Sequence, residues 1–214
     1  MPSLVRCTAL VVAVSSMAFA SSARAQLKVE LGATIGEYAP LGNFQPAQVY
    51  STSLPRSPSD LSGAAFGGEL RVWFAPRVGV ALTGSTASST VGGAITPEGQ
   101  SPYIPVRVST GSAQLLYLVT GDNSRARVWV GTGLSLVQHG GKAYEPYGSP
   151  VSLGSALGIG SAIRIRGGLS AEVGVSSLIY ELNVRGSNST IPPVSETGTQ
   201  VDLQLRTGLS YALH

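Results

Sequence analysis

Sulfur and histidine are scarce in this chain. Its 214 residues include one cysteine, Cys7, and two histidines, His139 and His214. A small exported domain commonly relies on disulfides; a lone cysteine excludes that framework and any sulfur-ligated metal centre. Two isolated histidines supply no ligand spacing, so no metal or cofactor is expected. Charge is sparse too, at 12% of residues. Long apolar runs are also missing. Beyond residue 25 nothing approaches the ~20 consecutive apolar residues of a membrane-spanning helix. Yet mean hydropathy is +0.22. The apolar residues must therefore be dispersed through the chain.

The first 25 residues read as a Sec-type leader. Arg6 forms a short positive region, Cys7 to Phe19 is apolar, and Ala23 and Ala25 fit the small-residue positions of a cleavage site. Cleavage is expected between Ala25 and Gln26, with 26–214 forming one domain. Cys7 lies before the apolar run, which is not the context of a lipoprotein anchor. Cleavage removes the cysteine and two of the 14 basic residues, leaving a net charge of about +1 against 11 acidic residues. That balance offers no electrostatic argument for nucleic acid as a partner.

What the chain has instead is period two. Leu27, Val29, Leu31, Ala33 and Ile35 alternate with Lys28, Glu30, Gly32, Thr34 and Gly36. The same alternation runs through Phe66–Phe74, Val78–Thr83, Val128–Leu136, Leu157–Ile165, Leu169–Ser176 and Asp202–Leu213. An eighth segment, about 106–119, is less regular; its lower half fits with Ala113, Leu115 and Tyr117 outward and Ser112 and Gln114 inward. Strands expose successive side chains to opposite faces, and segments of ~9–11 residues suffice to cross lipid at a tilt.

The connections sort by parity. Residues 40–62, 86–105, 138–150 and 183–200 are long, whereas 75–77, 121–124 and 166–168 are tight and rich in Pro, Gly, Asn and Asp, which suit turns. Strict alternation of long and short is the pattern of an outer-membrane barrel with periplasmic termini and long extracellular loops. The expected fold is all-β: an eight-stranded, up-and-down, antiparallel transmembrane barrel with both termini periplasmic. Closure leaves no backbone edge unpaired in lipid.

Three stretches carry a family resemblance. They are Gly36-Glu37-Tyr38-Ala39-Pro40-Leu41-Gly42-Asn43-Phe44, the run from Phe66 to Gly79, and the C-terminal Arg206-Thr207-Gly208-Leu209-Ser210-Tyr211-Ala212-Leu213. Together they resemble the small outer-membrane β-barrel proteins, the group that includes the OmpA- and OmpX-like transmembrane domains. The resemblance implies that Gly208, Tyr211 and Leu213 belong to a β-signal read by the barrel-assembly machinery. Many members end on an aromatic residue; this chain ends on His214. The fold hosts adhesins, structural proteins, ligand conduits and lipid-modifying enzymes, so it implies an architecture and no single activity.

Alternation directs six charges inward: Glu30, Glu69, Arg71, Arg164, Glu172 and Arg206. An eight-stranded barrel is just wide enough to be filled by side chains, and unpaired buried charge is costly. A structural salt-bridge network that plugs the bore is therefore expected, against the competing possibility of a gated ion path. Trp73 and Trp129 also read inward, near the tight turns. Phe74, Tyr117 and Tyr211 fall where an interfacial aromatic girdle would lie. His139 is expected as a solvated loop residue beside Glu145. It lacks the nearby His-x-Ser string of lipid A deacylases, and a catalytic histidine needs a hydroxyl and an acid in reach; no catalytic residue is expected. Asn188-Ser189-Thr190 matches a glycosylation sequon by chance.

The favoured function is a non-enzymatic outer-membrane protein with a structural or surface-interaction role. Its expected partners are outer-membrane lipid and, during insertion, the assembly machinery. The alternatives are a conduit or binder for a small apolar molecule, a lipid A-modifying enzyme, and a soluble periplasmic lipocalin-like binder. The last predicts an apolar interior and a polar exterior, the reverse of the faces read here.

Overall fold

A computed structural model describes residues 27–41, 62–92, 103–121, 124–141, 144, 149–188 and 191–213. Eight strands follow in chain order: β1 (Lys28–Pro40), β2 (Gly63–Trp73), β3 (Val78–Gly92), β4 (Tyr103–Leu118), β5 (Ala126–Gly140), β6 (Val151–Arg166), β7 (Leu169–Asn188) and β8 (Ile191–Leu213). Each pairs antiparallel with its neighbours in sequence, and β1 pairs with β8 to close the barrel. The leader, with Ala25 and Gln26, lies outside the described residues, as do Glu145, Ser189, Thr190 and His214.

Period two produces the two faces. Leu31, Ile35, Phe66, Leu82, Leu115, Leu134, Leu136, Leu157, Ile159, Leu205 and Leu209 stand on the outer wall, each about half exposed. Their intervening neighbours point into the bore. A continuous exposed apolar belt of this extent is what a lipid-facing surface requires. The less regular fourth strand has the expected register: Ala113, Leu115 and Tyr117 are exposed, and Gln114 is buried.

Several strands outrun their sequence-derived limits. The largest departure is the connection expected over 183–200. There β7 and β8 continue as a ladder from Tyr180↔Gln200 to Asn188↔Ile191, with one irregularity between Gly186 and Asn188. The β6 ladder on β7 ends at Gly154↔Tyr180, and the β1 ladder on β8 ends at Pro40↔Asp202. The hairpin therefore rises above the barrel as a two-stranded ribbon. The segment is rich in Val, Ile and Thr, which favour strands, but above the lipid nothing demands apolar–polar alternation. The periodicity that marks the other strands is absent there for that reason.

Candidate functional site

The inward face is the part of this barrel that carries chemistry. Packed side chains line it in three levels. At the end bearing the tight turns, Trp73, Ala81, Leu116, Leu118, Trp129 and Ala162 form an apolar floor. Glycines make the room. A Cβ on Gly160 would lie 2.6 Å from Trp129 Cζ2, and one on Gly79 would lie 2.8 Å from Trp73 Cε3. These inward glycines thus act as seats for the two indoles. Gly160→Val is expected to destabilise the barrel by about 1–3 kcal/mol by overpacking. Urea titration of the vesicle-folded protein, followed by tryptophan fluorescence, measures it.

Above the floor lies an ion-pair network. Arg71 on β2 is 1% exposed. Its Nε lies 2.8 Å from Glu69 Oε1 and its Nη1 lies 3.2 Å from Glu30 Oε2 on β1. Nη2 pairs with Glu172 Oε2 on β7. The guanidinium also sits 4.4 Å from the ring centroid of Trp129 on β5, within the range of a cation–π contact. Arg127 Nη1 and Lys28 Nζ hold Glu30 Oε1 at 2.6 and 3.3 Å, and Arg206 Nη1 holds Glu69 Oε2 at 3.2 Å. The contacts of Arg71 with Glu172 and Trp129 join strands that are not neighbours, so they cross the bore.

Five of the six charges singled out from alternation, Glu30, Glu69, Arg71, Glu172 and Arg206, meet in this network. Arg164 does not. It keeps the inward parity of β6 but lies just past the last β5–β6 pair, Ala126↔Ile163, and it is exposed. Arg127 takes the place expected of it. The alternation of β5 actually extends two residues below Val128, so Arg127 falls on the same face as Trp129. The proposed signal residues lie in β8. Tyr211 and Leu213 are outward and exposed. A Cβ on Gly208 would lie 2.2 Å from the Ala33 carbonyl oxygen, so this position admits only glycine without a shift of β1.

Mid-bore, a hydroxyl and amide ladder replaces charge. Thr83 Oγ1 meets Ser112 Oγ at 2.7 Å, Ser85 Oγ meets Thr110 Oγ1 at 2.8 Å, and Gln204 Nε2 donates to Thr110 Oγ1 at 2.9 Å.

The end bearing the long connections holds a second cluster. Asp202 Oδ2 accepts from Tyr38 at 2.5 Å and from Tyr180 at 2.6 Å. The Tyr180 hydroxyl also meets His139 Nε2 at 3.2 Å. His139 corrects the expectation of a solvated loop residue: β5 continues through it, and it is only 4% exposed, packed against the Tyr144 and Tyr180 rings. Burial, with the Asp202 carboxylate adding to it, holds the Tyr144 phenol above its ordinary range. Tyr38 and Tyr180 continue the inward parity of β1 and β7, and Asp202 stands on the inward side of the run already read in β8. Reading each strand two or four residues further would have found the two tyrosines. Among the described residues, His139 has no serine hydroxyl as a hydrogen-bond partner, and no metal-binding cluster of His, Cys, Asp and Glu occurs.

A closed eight-stranded barrel with an apolar exterior and a charged, packed interior is the architecture of small outer-membrane proteins. Solved structures of similar fold include three outer-membrane proteins. OprG of Pseudomonas aeruginosa is 14% identical with a TM-score of 0.55, covering 88% of this chain and 95% of its own. The outer membrane protein AlkL, determined in lipid bilayers, is 16% identical with a TM-score of 0.55, covering 91% and 94%. A major outer membrane protein of Thermus thermophilus is 16% identical with a TM-score of 0.51, covering 88% and 100%. At such identities the likeness is one of fold. No family model matches the sequence, and no curated protein matches it.

Proposed function

We propose that this protein is a non-enzymatic outer-membrane barrel with a plugged bore and a structural or surface-interaction role. In this reading residues 1–25 are the cleaved export leader. The C-terminal strand, through Gly208, Tyr211 and Leu213, is read by the barrel-assembly machinery. The termini and tight turns face the periplasm, and the long connections with the β7–β8 ribbon face outward. Loops on a rigid scaffold are a common place for binding.

The observation that carries the proposal is Arg71, held by three carboxylates and stacked on Trp129 across the bore. A side chain so placed closes the lumen and ties β2 to β5 and β7. A conduit would need another way through. The crevice beside Gly67, Gly68 and Gly84 in the wall is about 20 Å³. That is room for about one water, too little for an apolar cargo.

Two measurements test this. Unboiled mature protein from the outer-membrane fraction is expected to run as a compact band that shifts on boiling. Planar-bilayer recordings are expected to show no unitary conductance in the wild type, and steps in a variant combining Arg71→Ser with Trp129→Ala. Steady wild-type conductance would favour the ion path. Recovery in the soluble periplasm, without a shift, would overturn the membrane assignment.

A further inference from the structure

We propose that the chamber beneath the long connections binds a primary ammonium group. The chamber is a cavity of about 20 Å³ lined by Tyr38, His139, Tyr144 and Gln200, among others. Two of its lining residues present polar atoms that no described residue satisfies: His139 Nδ1 and Gln200 Oε1. Both side chains are more than nine-tenths buried, where an unmade hydrogen bond is expensive.

The bonding pattern assigns the character of each atom. The Tyr180 hydroxyl has a single hydrogen, which it donates to Asp202 Oδ2 at 2.6 Å. Its oxygen therefore accepts from His139 Nε2 at 3.2 Å. With the hydrogen on Nε2, Nδ1 of the neutral ring is an acceptor. Gln200 Nε2 is used on Asp202 Oδ1 at 3.3 Å, so the free end of that amide is also an acceptor. These two side chains thus present two unused acceptors to the chamber.

Charge and shape narrow the occupant. Behind these residues Asp202 is fully buried and bonded to two phenols and an amide, with no lysine or arginine paired to it among the described residues. That carboxylate favours a cationic donor over a neutral one. The aromatic rings of Tyr38 and Tyr144 suit a cation as well. The volume admits a head the size of an –NH3+ group and excludes a quaternary ammonium. The site is separate from the charge network and does not depend on which side of the membrane this end faces.

The test uses the folded full barrel in lipid, labelled with 15N-histidine. Only His139 and His214 report, so the imidazole spectrum is simple. The Nδ1 resonance of His139 is expected at an unprotonated position at neutral pH. Methylammonium chloride is expected to move it saturably, with a midpoint no tighter than about 6 mM, the ceiling for two non-hydrogen atoms. Tetramethylammonium chloride and sodium chloride are expected to leave it in place. Gln200→Leu is expected to weaken the response about tenfold, and Asp202→Asn is expected to weaken it as well. Unboiled gel mobility checks that each variant is folded. A protonated Nδ1, no movement with methylammonium, or an equal response to all three salts would overturn the proposal and leave the chamber to water.

Discussion

Arg71→Ala is expected to lower barrel stability by about 3–5 kcal/mol, the cost of breaking a buried ion pair by removing one partner. The effect comes from what is left behind. Glu30 keeps Arg127 and Lys28, and Glu69 keeps Arg206. Glu172 keeps no cation among the described residues. Its carboxylate would stand uncompensated against the floor of the bore. A companion variant, Arg71→Met with Glu172→Gln, is expected to recover a large part of the loss, because the stranded charge goes with its partner. Urea titration of protein folded into vesicles measures both, with unboiled gel mobility as a second readout. A change below about 0.5 kcal/mol, the range of ordinary surface substitutions, would mean that the network is solvated and does not plug the barrel.

Trp129→Ala is expected to cost a similar amount, about 3–5 kcal/mol, from loss of a buried indole and the cavity it leaves. Trp129 is buried between the Gly160 seat and the Arg71 guanidinium. Its contact with Arg71 is expected to contribute roughly 0.5–2 kcal/mol, resolved as the coupling term in a double-mutant cycle with Arg71→Met. Additive single effects would show that ring and guanidinium are merely adjacent. Trp129→Phe, which keeps an aromatic face, is expected to retain part of that coupling.

The strand faces were legible because lipid imposes a strict rule on them. Wherever a strand crosses the apolar belt, its outward residues must be apolar, and Leu31, Leu134 or Leu209 announce this directly. The same rule explains the failures. Past the belt the outward face is free to be polar, so the alternation stops short of His139 in β5, of Tyr180 in β7 and of Tyr38 in β1. Arg164 failed at the other end: its parity was right, but the β5–β6 ladder has already ended at Ile163 and the side chain is exposed.

Sequence alone determined the period, the number of strands, and which side chains face inward. Each of these is local, dictated by the pleat and by the solvent on either side of it. Tertiary structure decided which inward residues meet. Arg71 and Glu172 lie 101 positions apart on strands that are not neighbours, and Tyr38 reaches Asp202 across 164. Such contacts depend on the stagger of eight strands and the closure of β1 on β8, which bring distant residues to one level of the bore. Alternation carries no record of that level, so the pairing of charges and the chamber around His139 emerge only once the barrel is closed.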